Sequence, residues 1–554
     1  MAALHLLVDT VKGHRYGRIA QKVCVEGRWR RVTVFQLGRV TDQQIANVRA
    51  WLERSPLLPP VPTRALAEFA AIRKRHTWLY GRVAVGHLLW RKLGLHRIVL
   101  DALNGIPGKG RVVQFIEAVV LNRLDDPTSK YGLLEWLPTS ATPFLVGFAG
   151  RPLHENLFYR SMDALWRRKD RLEARVYEQV VRPLTHGPSV LYHDLTSSYF
   201  EGTGGDLGRF GYSRDHRPDR PQVSWGMVVT PEGFPITMQV YPGNTKDETT
   251  VQGMRKRLES VFGIRGGLYV GDRGLRTAEI VKDLQAQGFH YILAERTSHA
   301  VAQEALALAA RKKPIAVSDT NEVREAVTKE GIRHIVLLNP ERRTRELETL
   351  VRRKAEGQAI LKRWRKRVGK DDHHAILKGA QRELAQAGLS DLFELDFDED
   401  SFQGLTTEWK GKVDRVRQWA GWWVLSTDTE LPAEEVARLY QGLAVIERGW
   451  RELKGVLEVR PLRHRLERRV EAHLQLCVLA YLVEKYLEEK VRSLGFTGAA
   501  ALDQFRASTL DELEWGTTGA TRWAVTEPTK EQEAILRAAD LSVERFREGW
   551  RSLT

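Results

Sequence analysis

The sequence predicts an α/β fold built on a mixed sheet, from three observations. Apolar runs in SVLYHDLTSSYF, QVSWGMVVT and FPITMQVYPGN predict three consecutive strands. GLYVGDRG and FHYILAE predict two more, each preceded by a helical pattern. Much later in the chain, LYQGLAVIERGWRELKGVLEV carries apolar residues at helical spacing, which predicts an amphipathic helix packed on a core.

The order of these elements narrows the fold class. We predict the first strand over 190–196, with Asp194 at its C-terminal end, and a hairpin turn at Pro231-Glu232-Gly233. The T-x-x-E pattern of Thr245 to Glu248 is that of a capping box, which would open a helix ending near Phe262. The next helix is predicted over 277–287. The resulting order, β-β-β-α-β-α-β, is that of a ribonuclease H-like core.

The remaining segments surround this core. A chain of 554 residues exceeds what one hydrophobic core usually holds, so several domains are expected. The Pro-rich stretch 55–62 predicts a linker, since it cannot hold a regular helix. We predict a small β-rich unit plus helix over 1–54 and a helical DNA-binding region over 63–182. The core is expected in two pieces, 188–296 and 433–494, separated by a large insertion over 297–432 that precedes the last catalytic helix. A C-terminal tail is expected over 495–554.

Composition limits the class of protein. There are 86 Lys and Arg against 70 Asp and Glu, a formal net charge of +16, which makes a polyanionic partner the leading explanation. Cys24 and Cys477 are the only cysteines and are far apart, so neither a disulfide framework nor a zinc site is indicated. The N-terminus lacks a signal-peptide pattern and no apolar run is long enough for a bilayer. We therefore expect a cytoplasmic, nucleoid-associated protein without membrane contact.

Three acids are the candidate catalytic residues. The first and fourth strands of a ribonuclease H-like core are neighbours, so Asp194 and Asp272 are expected to meet at one edge, and the amphipathic helix would add Glu447. Crowded carboxylates repel one another, and divalent cations relieve that repulsion. Mg²⁺ suits an all-oxygen site, and two ions promote phosphoryl transfer on DNA. The alternative is that Glu447 and Arg451 form an ordinary helical i,i+4 pair.

Five sequence blocks resemble the DDE transposases of bacterial insertion sequences. They are, in order, YHDLTSSYFEG, GYSRDHRPDRPQV, VYPGNTKDETTV, YVGDRGLRT and LYQGLAVIERGWRELKGVLEVRPLRH. The similarity is to the insertion-sequence-four superfamily, and within it to the sixteen-thirty-four branch. It implies that Asp194, Asp272 and Glu447 are the metal ligands for two Mg²⁺ ions, with Mn²⁺ able to replace them. A large insertion between the second Asp and the Glu is also a feature of that family.

The last block also implies DNA contacts, with one departure. Tyr440 and Lys454 match the Tyr and Lys of the superfamily pattern, whereas Leu443 stands where its Arg belongs. The DNA contacts of that Arg are therefore not expected here. Lys454 and Arg451 are expected to hold phosphates, with solvated side chains as the alternative. Tyr440 would stack on a displaced base or close the helix packing.

Several residues near the three acids have expected roles of their own, and some of them have two. Arg273 follows the second Asp and would pair with a phosphate or with a nearby acid. Asp215 and Asp219 lie in a loop, where aspartates more often stabilise turns than catalyse. His193 should point to the strand face opposite Asp194. Asp247 is expected to belong to the capping turn.

The sequence thus predicts a cut-and-paste DNA transposase. Its partners would be double-stranded DNA, as transposon ends and as target, and a second copy of itself in a dimer assembled on that DNA. Two alternatives remain open. One is a structure-selective, Mg²⁺-dependent DNA nuclease that cuts without joining strands. The other is a DNA-binding regulator derived from a transposase, which would no longer be catalytic.

Overall fold

The computed structural model divides the chain into two compact units. One comprises residues 1–93, 110–159 and 486–554, and the other comprises 94–109 and 160–485. The residues whose structure is described are 4–11, 13–25, 28–54, 72–185, 187, 189–318, 321–398, 401–403, 413–414, 417–515 and 520–548. The predicted linker at 55–62 lies outside them. No helix among these residues is both long and apolar enough to cross a bilayer.

The second unit is organised around a nine-stranded mixed sheet, which confirms the predicted α/β class. Its strands are β1 Val190–Tyr199, β2 Gln222–Val229, β3 Pro235–Pro242, β4 Gly267–Gly271, β5 Phe289–Glu295, β6 Ala316–Ser318, β7 Asn321–Val327, β8 Arg333–Leu338 and β9 Trp422–Thr427. Their order in the sheet is β6-β7-β8-β9-β5-β4-β1-β2-β3.

Strands β1 to β5 have the predicted connectivity. β1, β2 and β3 are antiparallel neighbours, while β4 and β5 run parallel to β1 on its other side. The spatial order 3-2-1-4-5 is consistent with the ribonuclease H-like core. Strand β1 extends three residues beyond the predicted Thr196, so Asp194 lies in the middle of the strand and not at its end.

The segment after β5 continues the same sheet. β9 pairs antiparallel with β5, and β8, β7 and β6 follow outward. The Ala300–Ala310 helix packs small side chains against this extension, with Ala302, Leu306 and Val336 fully buried together. A second apolar cluster joins the Pro340–Arg365 and His373–Gln386 helices.

The predicted amphipathic helix is broken into two, which corrects the sequence-based expectation of one. Helices span Ala433–Gln441 and Ala444–Gly455, and the second is called the Glu447 helix below. At the break, the Tyr192 hydroxyl donates to the Leu439 carbonyl at 2.8 Å. A Cβ atom on Gly442 would lie 2.0 Å from that hydroxyl, so only glycine allows this approach. Leu443 is buried, as predicted for the apolar stripe.

The predicted capping box at Thr245 is wrong. A 3₁₀ turn, Asp247–Thr250, precedes the Val251–Phe262 helix, and no side chain caps the turn. The Asp247 carboxylate instead accepts a hydrogen bond from Arg214 at 2.6 Å. The following helix is confirmed at Ala278–Ala286, where the Thr277 side chain accepts from the Ile280 amide.

The other helices of this unit flank the sheet and its connections. They are Leu95–Ala102, Lys169–Val176 with a π turn to Val181, Arg182–Thr185, and Glu467–Val491, which continues past the division at residue 485.

The first unit begins with the expected small β structure. Leu4–Val11, His14–Val25 and Arg28–Arg39 form an antiparallel sheet, and a helix spans Asp42–Arg54. Its other helices are Gly81–Lys92, Lys109–Asp125, Leu133–Trp136, Thr142–Val146, Gly498–Asp503, Lys530–Ala538 and Val543–Glu548. The Glu155–Trp166 helix crosses the division between the units after residue 159.

One strand of this unit lies where helix was predicted. Ile72–Leu79 pairs with Thr509–Trp515, which in turn pairs with Thr521–Val525. Acids on the Thr509–Trp515 strand bind two cations of the Ile72–Leu79 strand, since Lys74 contacts Asp511 at 2.8 Å and Arg75 contacts Glu514 at 2.7 Å. These cations therefore have protein partners, a pairing that the local sequence around them does not reveal.

Candidate active site

Asp194 and Asp272 are brought together by two parallel strands. In the pairing of β1 with β4, His193 is opposite Gly271, so the next residue of each chain segment is an aspartate. Residues in register on neighbouring parallel strands lie about 4.8 Å apart and point to the same face. Asp194 and Asp272 are therefore neighbours on the sheet, as predicted.

A neutral donor binds Asp194. The Trp450 indole Nε1 donates a hydrogen bond to Asp194 Oδ2 at 2.9 Å. Burial raises the pKa of Asp194 to about 6, and the negative charge of Asp272 adds to the rise. No cation contacts this carboxylate among the described residues, although the Arg214 charge acts on it from a distance.

A second neutral donor binds Asp272. The Tyr440 hydroxyl donates to Asp272 Oδ1 at 3.3 Å. Burial raises the pKa of Tyr440 far above its ordinary value, and the charges of Asp272, Glu447 and Asp194 each raise it further. All three predicted acids are therefore electrostatic neighbours of one phenol group.

Glu447 occupies the first turn of its helix and is exposed. It lines a cavity of about 900 Å³ together with Asp272 and Tyr440. Among the residues that the structure describes, no three His, Cys, Asp or Glu side chains are close enough together to hold a metal ion. The donor chemistry of Asp194, Asp272 and Glu447 nevertheless suits a hard divalent cation, because all three offer carboxylate oxygens.

A cavity with charged walls adjoins the acids. Its volume is about 950 Å³, and Asp272 and Arg273 line both this cavity and the one with Glu447. Its wall also contains the cations Arg214, Lys246 and Arg296 and the acids Asp247 and Glu248, of which Asp247 pairs with Arg214. Cations beside a cluster of acids form a surface that suits a phosphodiester approaching bound metal ions.

Lys454 does not face solvent freely. Its ammonium group contacts Asp215 Oδ1 at 2.8 Å, and Arg460 binds the same carboxylate oxygen. The Asp215 side chain is only 1% exposed. Burial lowers the pKa of Lys454 despite the opposing effect of the Asp215 charge. Asp215 is thus a buried counterion of two cations.

The remaining predicted residues have simpler surroundings. Asp219 forms an exposed pair with Arg217 at 2.8 Å. Arg451 is exposed on the Glu447 helix. His193 is buried and contacts the Tyr269 hydroxyl through Nδ1, in agreement with a structural role.

Two contacts were missed by sequence reasoning. Trp450 lies in the apolar stripe of its helix, yet its indole donates to Asp194, 256 positions away. Arg460 likewise reaches Asp215 across the fold. The spacing of Trp450 three residues after Glu447 could have indicated that both reach the same cleft, because such residues lie on one helix face.

Comparisons with known proteins bear on this arrangement. Residues 185–483 match the family model of the transposase DDE domain. No curated protein matches the chain. Six chains of solved structures match. Among them is the cryo-EM structure of the piggyBac transposase synaptic complex with hairpin DNA, with 8% identity, a TM-score of 0.39, and coverage of 77% of this chain and 79% of that one. At this identity and TM-score the two structures are only remotely similar.

Proposed function

We propose that this chain, which belongs to the family of transposase DDE domains, binds the terminal inverted repeats of its own element, cleaves DNA there and joins the freed ends to target DNA. Within that family we infer membership of the insertion-sequence-four superfamily, nearest to its sixteen-thirty-four branch. The sequence blocks that contain Asp194, Asp272 and Glu447 support this narrower placement.

One observation carries the proposal. Asp194 on β1 and Asp272, directly after β4, are neighbours, and among the described residues no cation pairs with either carboxylate. Glu447 lines the same cavity as Asp272. Uncompensated carboxylates that are neighbours in a fold are costly, because like charges close together repel one another. A protein retains such a cluster where a cation binds, so the arrangement supports metal-dependent phosphoryl transfer.

The residues that would hold the cations are Asp194, Asp272 and Glu447. DDE transposases generally use divalent metals, and we propose two Mg²⁺ ions here, with Mn²⁺ able to replace them. When bound, such ions activate the attacking water or 3′-hydroxyl and stabilise the leaving oxygen of the phosphodiester. Trp450 and Tyr440 each occupy one oxygen of an aspartate, which orients the carboxylate that remains to bind a cation.

Cations around the acids would position the DNA. Arg273 lines both cavities beside Asp272 and is exposed, so it can reach a phosphate there. Arg451 lies on the exposed face of the Glu447 helix, one turn beyond the acid. Lys454 would contact a phosphate only by giving up part of its bond to Asp215. Tyr440 would act mainly through Asp272, with base stacking as its alternative role.

The partner we propose is double-stranded DNA, both as transposon ends and as target. The excess of basic residues supports it, since phosphate neutralisation supplies most of the affinity for DNA. A dimer assembled on two DNA ends would bring both ends to one target. The regions 63–182 and 297–432 are proposed to hold DNA around the core.

The test is cleavage and joining on a plasmid that carries the element's flanking repeats, with Mg²⁺, for the wild type and Glu447→Gln. The control is Glu434→Gln, an exposed glutamate on the preceding helix. We expect both products from the wild type and the control, and neither from Glu447→Gln, with DNA binding intact in all three. Cleavage by Glu447→Gln at the wild-type rate would refute the assigned site.

The other outcomes separate the alternative functions. Cleavage without any joined product would identify a structure-selective nuclease. A wild type that binds the repeats but neither cleaves nor joins them, at any divalent metal concentration, would identify a non-catalytic regulator.

A further inference from the structure

We propose that Trp450 is the positioning residue for Asp194, and that its indole holds the carboxylate in the orientation in which it binds a divalent cation. The inference rests on the proposed function only in taking Asp194 as a metal ligand. It concerns a residue three positions beyond Glu447, outside the three acids that define the family's active site.

The first support is the contact itself. Trp450 Nε1 donates to Asp194 Oδ2 at 2.9 Å, the usual length of an N–H···O hydrogen bond. The Trp450 residue is only 7% exposed, so water competes little for this donor. One oxygen of the carboxylate is therefore fixed by the protein, and Asp194 is limited in how it can rotate.

The second support is the rigidity of the indole. The Trp450 ring packs edge-to-face on Trp225, with centroids 4.8 Å apart and planes at 75°. Trp225 is itself fully buried on β2, and its Nε1 donates to Ser198 Oγ on β1 at 3.1 Å. The donor that meets Asp194 is thus held by the same pair of strands that carries Asp194.

The third support is the chemical type of the donor. A neutral indole orients a carboxylate without cancelling its charge, whereas Lys or Arg would compete directly with a metal ion. The contrast is visible nearby, where Lys454 and Arg460 both bind Asp215. A site that needs an oriented but still anionic ligand is best served by a neutral donor.

The position of Trp450 adds a structural consequence. Glu447 and Trp450 lie one turn apart on one helix, so the helix contributes an acid and a donor to the same site. Any shift of this helix would move Glu447 and release Asp194 together. The orientation of one proposed ligand is thereby coupled to the placement of another.

The test compares Trp450→Phe with the wild type. Phe keeps a ring that packs on Trp225 and removes the hydrogen-bond donor. The control is Trp364→Phe, since Trp364 Nε1 donates to Glu383 Oε2 at 2.7 Å in the helical insertion. Both variants lose one indole–carboxylate bond, but only the first loses it at the proposed metal site.

The main readout is Mn²⁺ binding by the full-length protein, measured by electron paramagnetic resonance without any reaction. Removing an outer partner of a metal ligand typically weakens binding about tenfold to a hundredfold, and we expect this for Trp450→Phe. Trp364→Phe should bind Mn²⁺ as the wild type does. In DNA cleavage, Trp450→Phe should need a correspondingly higher Mn²⁺ concentration and recover most of its rate at saturation.

Each outcome decides the inference. Unchanged Mn²⁺ affinity in Trp450→Phe would overturn it, even where the wild type cleaves DNA and the proposed function holds. Equal losses of affinity in both variants would also overturn it, since they would reflect general destabilisation. A wild type that binds Mn²⁺ but does not cut DNA, beside a weakened Trp450→Phe, would leave this inference standing while the proposed function fails.

Discussion

Asp194 and Asp215 are two largely enclosed carboxylates in the same unit, and their surroundings are opposite. Asp215 binds two cations, Lys454 and Arg460. Asp194 has a neutral indole as its hydrogen-bond partner and a second carboxylate, Asp272, as its neighbour. Buried charges are normally paired, because an unpaired charge in a protein interior is costly. The compensated aspartate is thus typical of a structural ion pair, and the uncompensated one is typical of a cation-binding site.

The largest effect is expected from removing the charge of Asp194. Asp194→Asn should lower the rate of DNA cleavage by at least about a thousandfold, or about 4 kcal/mol of activation free energy. The protein should remain folded, because the substitution relieves repulsion with Asp272. Single-turnover cleavage with saturating Mg²⁺ measures the rate, and circular dichroism checks the fold. A residual rate within tenfold of that of the wild type would contradict the view that Asp194, unlike Asp215, belongs to a cation-binding site.

The next largest effect is expected at Asp215, and on stability. Asp215→Asn leaves Lys454 and Arg460 without their counterion, which should lower the free energy of unfolding by roughly 3 kcal/mol. Urea denaturation followed by fluorescence measures the change. Asp219→Asn, in the same loop but exposed, serves as the control. If Asp215→Asn unfolds at the wild-type urea concentration, then its ion pairs are not structural.

Metal binding should stabilise the wild type by slightly less than Asp215→Asn destabilises it. At a Mg²⁺ concentration about one hundred times its dissociation constant, the expected gain is about 2.7 kcal/mol. Asp215→Asn should show the same gain from its lower starting stability, while Asp194→Asn should show little or none. Denaturation with Mg²⁺ and with EDTA measures the difference. Equal gains in stability for the wild type and Asp194→Asn would show that the metal binds at a site without Asp194.

The smallest effect is expected from the exposed pair of Asp219 with Arg217. The hydrogen bond from Arg217 lowers the pKa of Asp219 to about 2 from an ordinary 3.8. A carboxyl whose pKa is lower in the folded state stabilises above the unfolded value, and that contribution disappears as pH falls through the folded value. Wild type and Asp219→Asn should thus differ slightly at pH 5 and converge near pH 2. Acid titration of the urea midpoint tests this, and a large difference at pH 5 would conflict with the exposure of the pair.

Much of the core could be predicted from the sequence because its signals are local. Apolar runs separated by turn residues indicated the five core strands in order, and the hairpin turn at Gly233 was predicted with them. The adjacency of Asp194 and Asp272 followed from that order alone, since it requires only that the first and fourth strands pair. Periodicity also identified the apolar face of the helix that carries Glu447.

The tertiary structure decided the features that depend on residues distant in the chain. At the break before the Glu447 helix the Tyr192 hydroxyl binds the Leu439 carbonyl, and the strand at 72–79 pairs with residues 509–515. The contact of Trp450 with Asp194 and the burial of Asp215 arise in the same way. Local periodicity reports which face of an element is apolar, but it carries no information about which distant group that face will meet. Residue types and spacing therefore identified the three candidate acids, and long-range packing determined which of the neighbouring charges are compensated.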